Sequence, residues 1–439
     1  MTTGAAHRHP ISTPDFLSLD ELRSTQLVRL CRTVQRAYDN VPLFRRRMEE
    51  LDLEPADLRS LDDVTRLPFT VKSDLRDTYP FGMFASPMKD VVRLHASSGT
   101  TGKPIVVAYT AGDIEVWTET MARSYAACGW HAGDIVQNSY GYGLFTGGLG
   151  AHYGAEALGA TVIPVSAANT ERQLMIMKDF GVTAICATPS YFLHLIDQSV
   201  EMGIDMKELP LRSAVLGAEP WTEDMRKRIE AESGITAYDM YGLSEIIGPG
   251  VGIECPCKAG LHIFEDHFLA EIIDPETLER VPDGTEGELV LTTLSKEAMP
   301  MIRYRTRDIT AFVNGPCECG RNLRRIRRIG RRSDDMLIIR GVNVFPSQIE
   351  AALLRVEGTL PHYRIVLTRE QDLDQIEVQV EVTHEALRDE ARGLEELQRK
   401  VARSIESITG IRTALTLVAP HTIERSEGKA RRVIDRRVM

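Results

Sequence analysis

Between about residues 90 and 250 of this 439-residue chain, short apolar runs alternate with amphipathic stretches, and that alternation restricts the fold more than any other feature. The runs are Ile135-Val-Gln-Asn138, Thr161-Val-Ile-Pro164, Ala184-Ile-Cys-Ala187 and Ser213-Ala-Val-Leu216, each bounded by Gly or Pro. A strand covered on both faces shows no polar alternation, so such runs read as buried strands of a sheet. The stretches 171–180, 190–202 and 223–233 have helical spacing and supply crossover connections. An α/β fold follows. Upstream, Leu19, Leu22, Leu27, Leu30 and Val34 recur at helix spacing among charges, which predicts helix over much of 18–60.

After Glu254 the texture changes. Ala270-Glu-Ile-Ile273 and Gly287-Glu-Leu-Val-Leu-Thr-Thr293 look like antiparallel strands joined by Pro/Asp/Gly turns, the makings of a small β-barrel-like part. A second change falls near Arg332. Beyond it, roughly 100 residues form a unit the size of a small domain. That unit reads as a strand at Met336-Leu-Ile-Ile339, a helix from about Pro346, strands at 363–368 and 376–382, a long helix at 386–407 and a strand at 413–418. The expected division is a large N-terminal α/β domain, 1–332, and a smaller α+β domain, 333–439.

The 63 acidic residues exceed the 52 basic ones, giving a formal charge of -11, which argues against a general nucleic-acid or anionic-membrane binder. The start of the chain lacks the basic and apolar segments of a signal peptide. No run approaches the roughly 20 apolar residues that span a bilayer. Seven cysteines, an odd number, suit reduced thiols, and the expected location is cytoplasmic.

The most informative string is Ser97-Ser-Gly-Thr-Thr-Gly-Lys-Pro104, following strand-like Val91-Val-Arg-Leu-His95. Its glycines allow a tight turn close to a polyanion, its hydroxyls and amides donate to phosphate oxygens, and Lys103 adds a point charge. It is not a Walker A loop, which needs four residues between its glycines and Ser or Thr after the Lys. On composition alone, a polar hairpin turn fits as well.

The whole string resembles the phosphate-binding loop of the acyl-adenylate-forming superfamily. Four further blocks match that family in order: Gly217-Ala-Glu-Pro220, Tyr241-Gly-Leu-Ser-Glu245, Tyr304-Arg-Thr-Arg-Asp308 and Gly428-Lys429. Within it, the chain resembles the phenylacetate–coenzyme A ligases from about residue 15 to the end. Leu67-Pro-Phe-Thr-Val-Lys72, Asp77-Thr-Tyr-Pro-Phe-Gly82, Tyr140-Gly-Tyr-Gly-Leu-Phe-Thr-Gly-Gly148 and the stretch from Ser333 to Pro346 carry that likeness, as does the ending Arg425-Ser-Glu-Gly-Lys-Ala430.

The resemblance implies an ATP-dependent, AMP-forming ligase joining a small aromatic acid, phenylacetate or a near relative, to coenzyme A through an acyl-adenylate. Two alternatives stay open: an adenylating enzyme that loads a carrier-protein thiol, and a non-catalytic nucleotide-binding protein on the same fold. Ser97, Ser98, Gly99, Thr100, Thr101, Gly102 and Lys103 are expected to cradle the β- and γ-phosphates, with Glu245 ligating Mg2+, a hard cation suited to oxygen. Gly217, Ala218, Glu219, Pro220, Asp239, Tyr241, Gly242 and Ser244 would surround the adenine, and Asp308 would accept hydrogen bonds from the ribose.

Lys429 is the expected catalytic residue, a cation brought to the forming bond between carboxylate and α-phosphate; a solvated Lys among arginines is the alternative. Of the seven arginines in 321–332, Arg332 would contact the nucleotide and most others would lie on the surface. The family has Gly immediately before that Arg, whereas this chain has Arg331. Asp334 would be the hinge, and Arg340, Gly341 and Asn343 would line a coenzyme A channel. Tyr140, Tyr142, Phe145, Gly147 and Ala218, backed by Ile246 to Pro249, would form the acyl pocket, although core packing suits the same residues. A homodimer is one expected assembly.

Two Cys-x-Cys pairs, Cys255-Pro-Cys257 and Cys317-Glu-Cys319, stand 62 residues apart, with His262 after the first. Thiolates and imidazole suit tetrahedral zinc. The expected ligands of such a structural ion are Cys255, Cys317 and Cys319, with His262 or Cys257 as the fourth. Unpaired thiols on neighbouring loops are the alternative.

Overall fold

In the computed structural model, which describes residues 9–96, 104–166, 169–333, 337–339, 342–370, 373–388, 391–424 and 432–436, the four apolar runs become neighbouring strands of one sheet. The chain divides into two compact units. One comprises Met1–Ala187, Lys207–Ala218 and Ile235–Arg328; the other comprises Thr188–Met206, Glu219–Gly234 and Ile329–Met439.

The first unit is built on a nine-stranded sheet. Its order is Phe312–Val313, Arg325–Ile326, Leu261–Ile263, Gly248–Glu254, Thr236–Leu243, Ser213–Gly217, Ala184–Ala187, Ile135–Asn138 and Thr161–Ile163. Pairing is parallel from Thr161–Ile163 through Thr236–Leu243 and antiparallel beyond. Every residue of Ala184–Ala187 and of Ser213–Gly217 is buried, as strands covered on both faces must be.

Helices Ala111–Ala127 and Gly147–Ala157 pack closely. A Cβ at Gly150 would fall 2.3 Å from the Trp117 ring, and one at Gly154 2.3 Å from the Met121 Cβ. The first of these helices starts with a reciprocal cap: Asp113 N–H donates to Thr110 Oγ1 (3.1 Å), and Thr110 N–H donates to the Asp113 carboxylate (2.9 Å). The same buried carboxylate accepts from the N–H groups of Glu297 (2.6 Å) and Ala298 (2.9 Å), which fixes the segment around Lys296.

Strands Phe268–Ile273, Gly287–Thr293 and Tyr304–Thr310 run antiparallel, as the texture after Glu254 predicts. Tyr304–Thr310 alternates buried and half-buried along its length, placing Tyr304, Thr306, Asp308 and Thr310 on the inner face. Its register against Gly287–Thr293 slips between Glu288 and Val290, and Arg307 sits at φ 68°. A bulge of this sort re-aims the side chain beside it, here Asp308. The fully buried Glu288 carboxylate stabilises the irregularity by accepting from Arg305 (2.6 Å) and from the Arg307 N–H (3.2 Å).

In the second unit, Ala414–Val418, Leu373–Val382, Thr359–Glu370 and Val433–Asp435 form a sheet in that order. Helices Pro346–Leu353 and Ala391–Thr409 bury Ile349, Leu353, Val401 and Ile405 with Ile365, Leu367, Val378 and Val380 of the sheet. This is the expected small α+β arrangement. The unit also takes in helices Pro189–Glu201 and Glu223–Ser233, which the sequence places as crossovers of the larger sheet.

Candidate active site

In a parallel sheet, ligands bind beyond the carboxyl ends of the strands, where loops diverge. Three of the predicted blocks meet that condition. Ile135–Asn138 runs into Tyr140, Ser213–Gly217 into Ala218, and Thr236–Leu243 carries Asp239, Tyr241 and Gly242 and leads to Ser244 and Glu245. Close approach explains two of the glycines. A Cβ on Gly217 would meet the Met240 carbonyl oxygen at 2.5 Å, and one on Gly242 the Gly248 carbonyl oxygen at 2.1 Å. Ala218 turns away from its strand at φ 72°, which directs its backbone outward.

Tyr241 donates its hydroxyl to Asp308 Oδ2 at 2.6 Å, so two blocks 67 residues apart meet on adjoining sheets. Asp308 is held from behind, its N–H donating to Thr306 Oγ1 (3.0 Å). Asp239 is gripped by Arg328, whose Nε donates at 3.0 Å, while its own N–H donates to buried Glu254 (2.8 Å). Ser244 and Thr146 share a hydroxyl contact of 2.9 Å, tying the Glu245 block to the start of Gly147–Ala157. Glu245 is 8% exposed and accepts from the Tyr304 hydroxyl at 3.3 Å.

Lys296, absent from the blocks read in the sequence, reaches this place too. Its Nζ donates to the Glu245 carbonyl oxygen at 3.2 Å and lies 4.9 Å from the centre of the Tyr109 ring. Burial brings its pKa down to about 8, against the opposing pull of Asp113 and Glu245. No motif announces it, because its position depends on the Asp113 cap contacting a segment 184 residues away.

The predicted acyl-pocket residues fall into two groups. Tyr140 is buried, with its hydroxyl donating to the Ala187 carbonyl oxygen at 2.7 Å. A Cβ on Gly147 would meet Phe145 at 2.8 Å and Tyr140 at 3.5 Å, so these three form one cradle with an aromatic wall. Tyr142 points elsewhere: its hydroxyl accepts from Asn138 Nδ2 (2.7 Å) and contacts His152 Nδ1 (3.1 Å). Ile246 and Ile247 are core residues, and the Ile247 and Pro249 carbonyls accept from Tyr109 and Trp117.

The arginine run departs from expectation, since several of its members bond inward. Arg325 is buried, donating to the Ala259 and Gly315 carbonyls; Arg321 pairs with Asp15 at 3.0 Å; Arg328 holds Asp239. Arg332 lies half-buried in the short strand Arg331–Arg332 of the second unit. In that unit Glu219 accepts from the Ser190 N–H at 2.8 Å, capping helix Pro189–Glu201, and half-buried Pro220 follows it. Residues 97–103, Asp334, Arg340, Gly341 and Lys429 lie outside the described residues. Their neighbours are placed. Ala96 faces Val106 across an antiparallel pair, and the Ile365 N–H donates to the Arg432 carbonyl oxygen at 2.7 Å.

Residues 50–295 match the family model of AMP-binding enzymes, and residues 341–437 that of the AMP-binding enzyme C-terminal domain. The solved 2-hydroxyisobutyryl-CoA ligase, in its postadenylation state with 2-HIB-AMP, superposes with a TM-score of 0.90 at 30% identity, covering 96% of this chain and 91% of that one. The fold is therefore that of an adenylate-forming, AMP-releasing acid–thiol ligase. Phenylacetate-coenzyme A ligase of Pseudomonas putida is 53% identical over 99% of this chain and 98% of its own length. The Thermus thermophilus enzyme of the same name is 50% identical over 96% and 98%. The chain belongs to the phenylacetate–coenzyme A ligase family. Its activity is ATP-dependent, AMP-forming ligation of an acid to coenzyme A.

Proposed function

We propose that the acid is phenylacetate or a closely related aryl acid, and that one site runs both half-reactions. A carboxylate oxygen attacks the α-phosphorus of ATP, pyrophosphate departs, and the acyl-adenylate forms. The sulfur of coenzyme A then attacks the acyl carbonyl; AMP leaves and the thiol proton passes to solvent.

The observation that carries the choice of acid is the cradle of Tyr140, Phe145 and Gly147. It offers flat apolar walls, and a Cβ at position 147 would fall 2.8 Å from the Phe145 ring, so a side chain there would displace that wall. Tyr241 and Asp308, joined by their hydrogen bond, would receive adenosine, with the Asp308 carboxylate as acceptor for ribose hydroxyls. Glu245 suits Mg2+ because that ion takes one or two carboxylates together with phosphate oxygens. It would hold the ion while Ser97, Ser98, Thr100, Thr101 and Lys103 hold the outer phosphates. Lys429 would supply positive charge at the α-phosphate. Residues 1–332 and 333–439 are the two domains of this reading, with Asp334 as hinge and Arg340 and Gly341 along the coenzyme A path. The cytoplasm is the proposed location; among the described residues no helix is long and apolar enough to cross a membrane.

The test is a panel of phenylacetate, hydroxyphenylacetates, benzoate and anthranilate with MgATP and coenzyme A, following AMP and thioester. We expect kcat/KM for phenylacetate to exceed that for benzoate by about tenfold or more, since one methylene in an apolar pocket is worth roughly 1–3 kcal/mol. Pyrophosphate release without thioester would point to a carrier-protein acceptor. Equal turnover of small aliphatic acids would refute the aromatic assignment.

A further inference from the structure

The two Cys-x-Cys pairs adopt the same local shape. In Cys255-Pro256-Cys257-Lys258 the Lys258 N–H donates to the Cys255 carbonyl oxygen at 2.9 Å, and Lys258 takes a φ of 52°. In Cys317-Glu318-Cys319-Gly320 the Gly320 N–H donates to the Cys317 carbonyl oxygen at 2.9 Å, with φ 76°. The left-handed conformation at Lys258 is costly for a residue with a side chain, so something must hold this turn. Part of the answer is local: the Lys258 ammonium hydrogen-bonds the Ala237 carbonyl and lies 4.1 Å from the Tyr238 ring centre. The turns bury the first thiol of each pair, Cys255 and Cys317, and bring their Sγ atoms to 3.6 Å.

Cys319 Sγ lies 3.4 Å from His262 Nε2. One ligand atom from each of Cys255, His262, Cys317 and Cys319 falls within 4.8 Å of all the others. A tetrahedral zinc ion with Zn–S about 2.3 Å and Zn–N about 2.0 Å requires sulfurs about 3.8 Å apart and a sulfur–nitrogen distance near 3.5 Å. The observed spacings match. The imidazole is also oriented for the task. His262 is fully buried, and its Nδ1 sits 3.3 Å from the Leu323 carbonyl oxygen. A proton on Nδ1 donated there leaves the Nε2 lone pair facing the thiols, the outer-shell arrangement that metal-bound histidines use.

We propose that Cys255, His262, Cys317 and Cys319 bind one structural zinc ion, and that Cys257 stays outside the site. Cys257 is exposed and has no place in the cluster. Four protein ligands leave no open position for chemistry. Three thiolates and one Zn2+ carry a net charge of -1, which the Arg321 guanidinium beside Cys319 offsets. The ion ties the loop between Phe312–Val313 and Arg325–Ile326 to Leu261–Ile263 and to the end of Gly248–Glu254, at the antiparallel edge of the large sheet. Arg328, which holds Asp239, follows two residues after that edge.

The untagged full chain, purified under reducing conditions, should contain about one zinc per chain by elemental mass spectrometry. Cys317→Ser and His262→Ala should lose most of it, and Cys257→Ser should retain it all. Should a variant fold poorly, chelator-stripped wild type provides the second measurement. Titrated with Co2+, it should develop thiolate-to-cobalt charge-transfer absorption, and its melting temperature should rise when zinc is returned. The proposal is overturned by a reduced wild-type chain that carries no zinc and takes up no cobalt. Loss of metal in Cys257→Ser, or a Cys255–Cys317 disulfide in the purified protein found by intact mass, would overturn it equally.

Discussion

Lys296 carries a cation into the interior beside Glu245, and burial holds its pKa near 8 where an exposed lysine titrates at 10.5. The folded state therefore releases this proton more readily than the unfolded chain. Between about pH 8 and 10.5 the unfolded state binds more protons, so Lys296 makes stability rise with pH across that window. Activity should move the opposite way, because the ammonium that donates to the Glu245 carbonyl is lost above pH 8. We expect kcat/KM for ATP to fall along a limb near pH 8. Lys296→Met should abolish the limb and lower kcat/KM at neutral pH by about tenfold or more, the worth of a charged hydrogen bond of about 1.5–3 kcal/mol. Lys296→Arg, which stays charged, should move the limb upward. A wild-type profile flat to pH 9.5 would sink this role.

At the scale of elements, the contact between Ala111–Ala127 and Gly147–Ala157 fixes the start of the helix that carries Gly147. Gly150 is required there by a neighbour: its Cβ would strike Trp117, whose Nε1 donates to the Pro249 carbonyl oxygen at 2.9 Å. Gly150→Ala should destabilise the protein by about 1–3 kcal/mol, the usual cost of overpacking, read as a lower denaturant midpoint with an unchanged slope. The strands of this region are legible from sequence, since Ile135–Asn138 and Ala184–Ala187 match the apolar runs residue for residue. The reason for Gly150 is not legible. A glycine-rich stretch after aromatic residues suits a pocket or a helix contact equally, and only the position of Trp117 separates them.

For the molecule as a whole, the proposed division of labour puts charge stabilisation of the first half-reaction on Lys429. Lys429→Ala should slow acyl-adenylate formation by about 10²–10³-fold, the effect of removing one preorganised charge-stabilising group. Thioester formation from supplied phenylacetyl-adenylate should stay close to wild type. Pyrophosphate release measures the first step and single-turnover thioester formation the second; equal slowing of both would assign Lys429 to a different task. The ordered blocks point to this chemistry because phosphate, ribose and metal each demand particular atoms, and in the proposed reading Asp308 and Glu245 supply two of them.

Sequence alone determined the alternation that makes a parallel sheet and the five residues, Cys255, Cys257, His262, Cys317 and Cys319, from which the cysteine–histidine cluster is drawn. These follow from local periodicity and from the chemistry of single side chains. Tertiary structure alone decided that His262 rather than Cys257 joins the thiols, that Arg328 grips Asp239 and that Lys296 sits beneath Glu245. Those are choices among residues of suitable chemistry. Distance settles them, and distance across separate strands depends on how the whole chain packs.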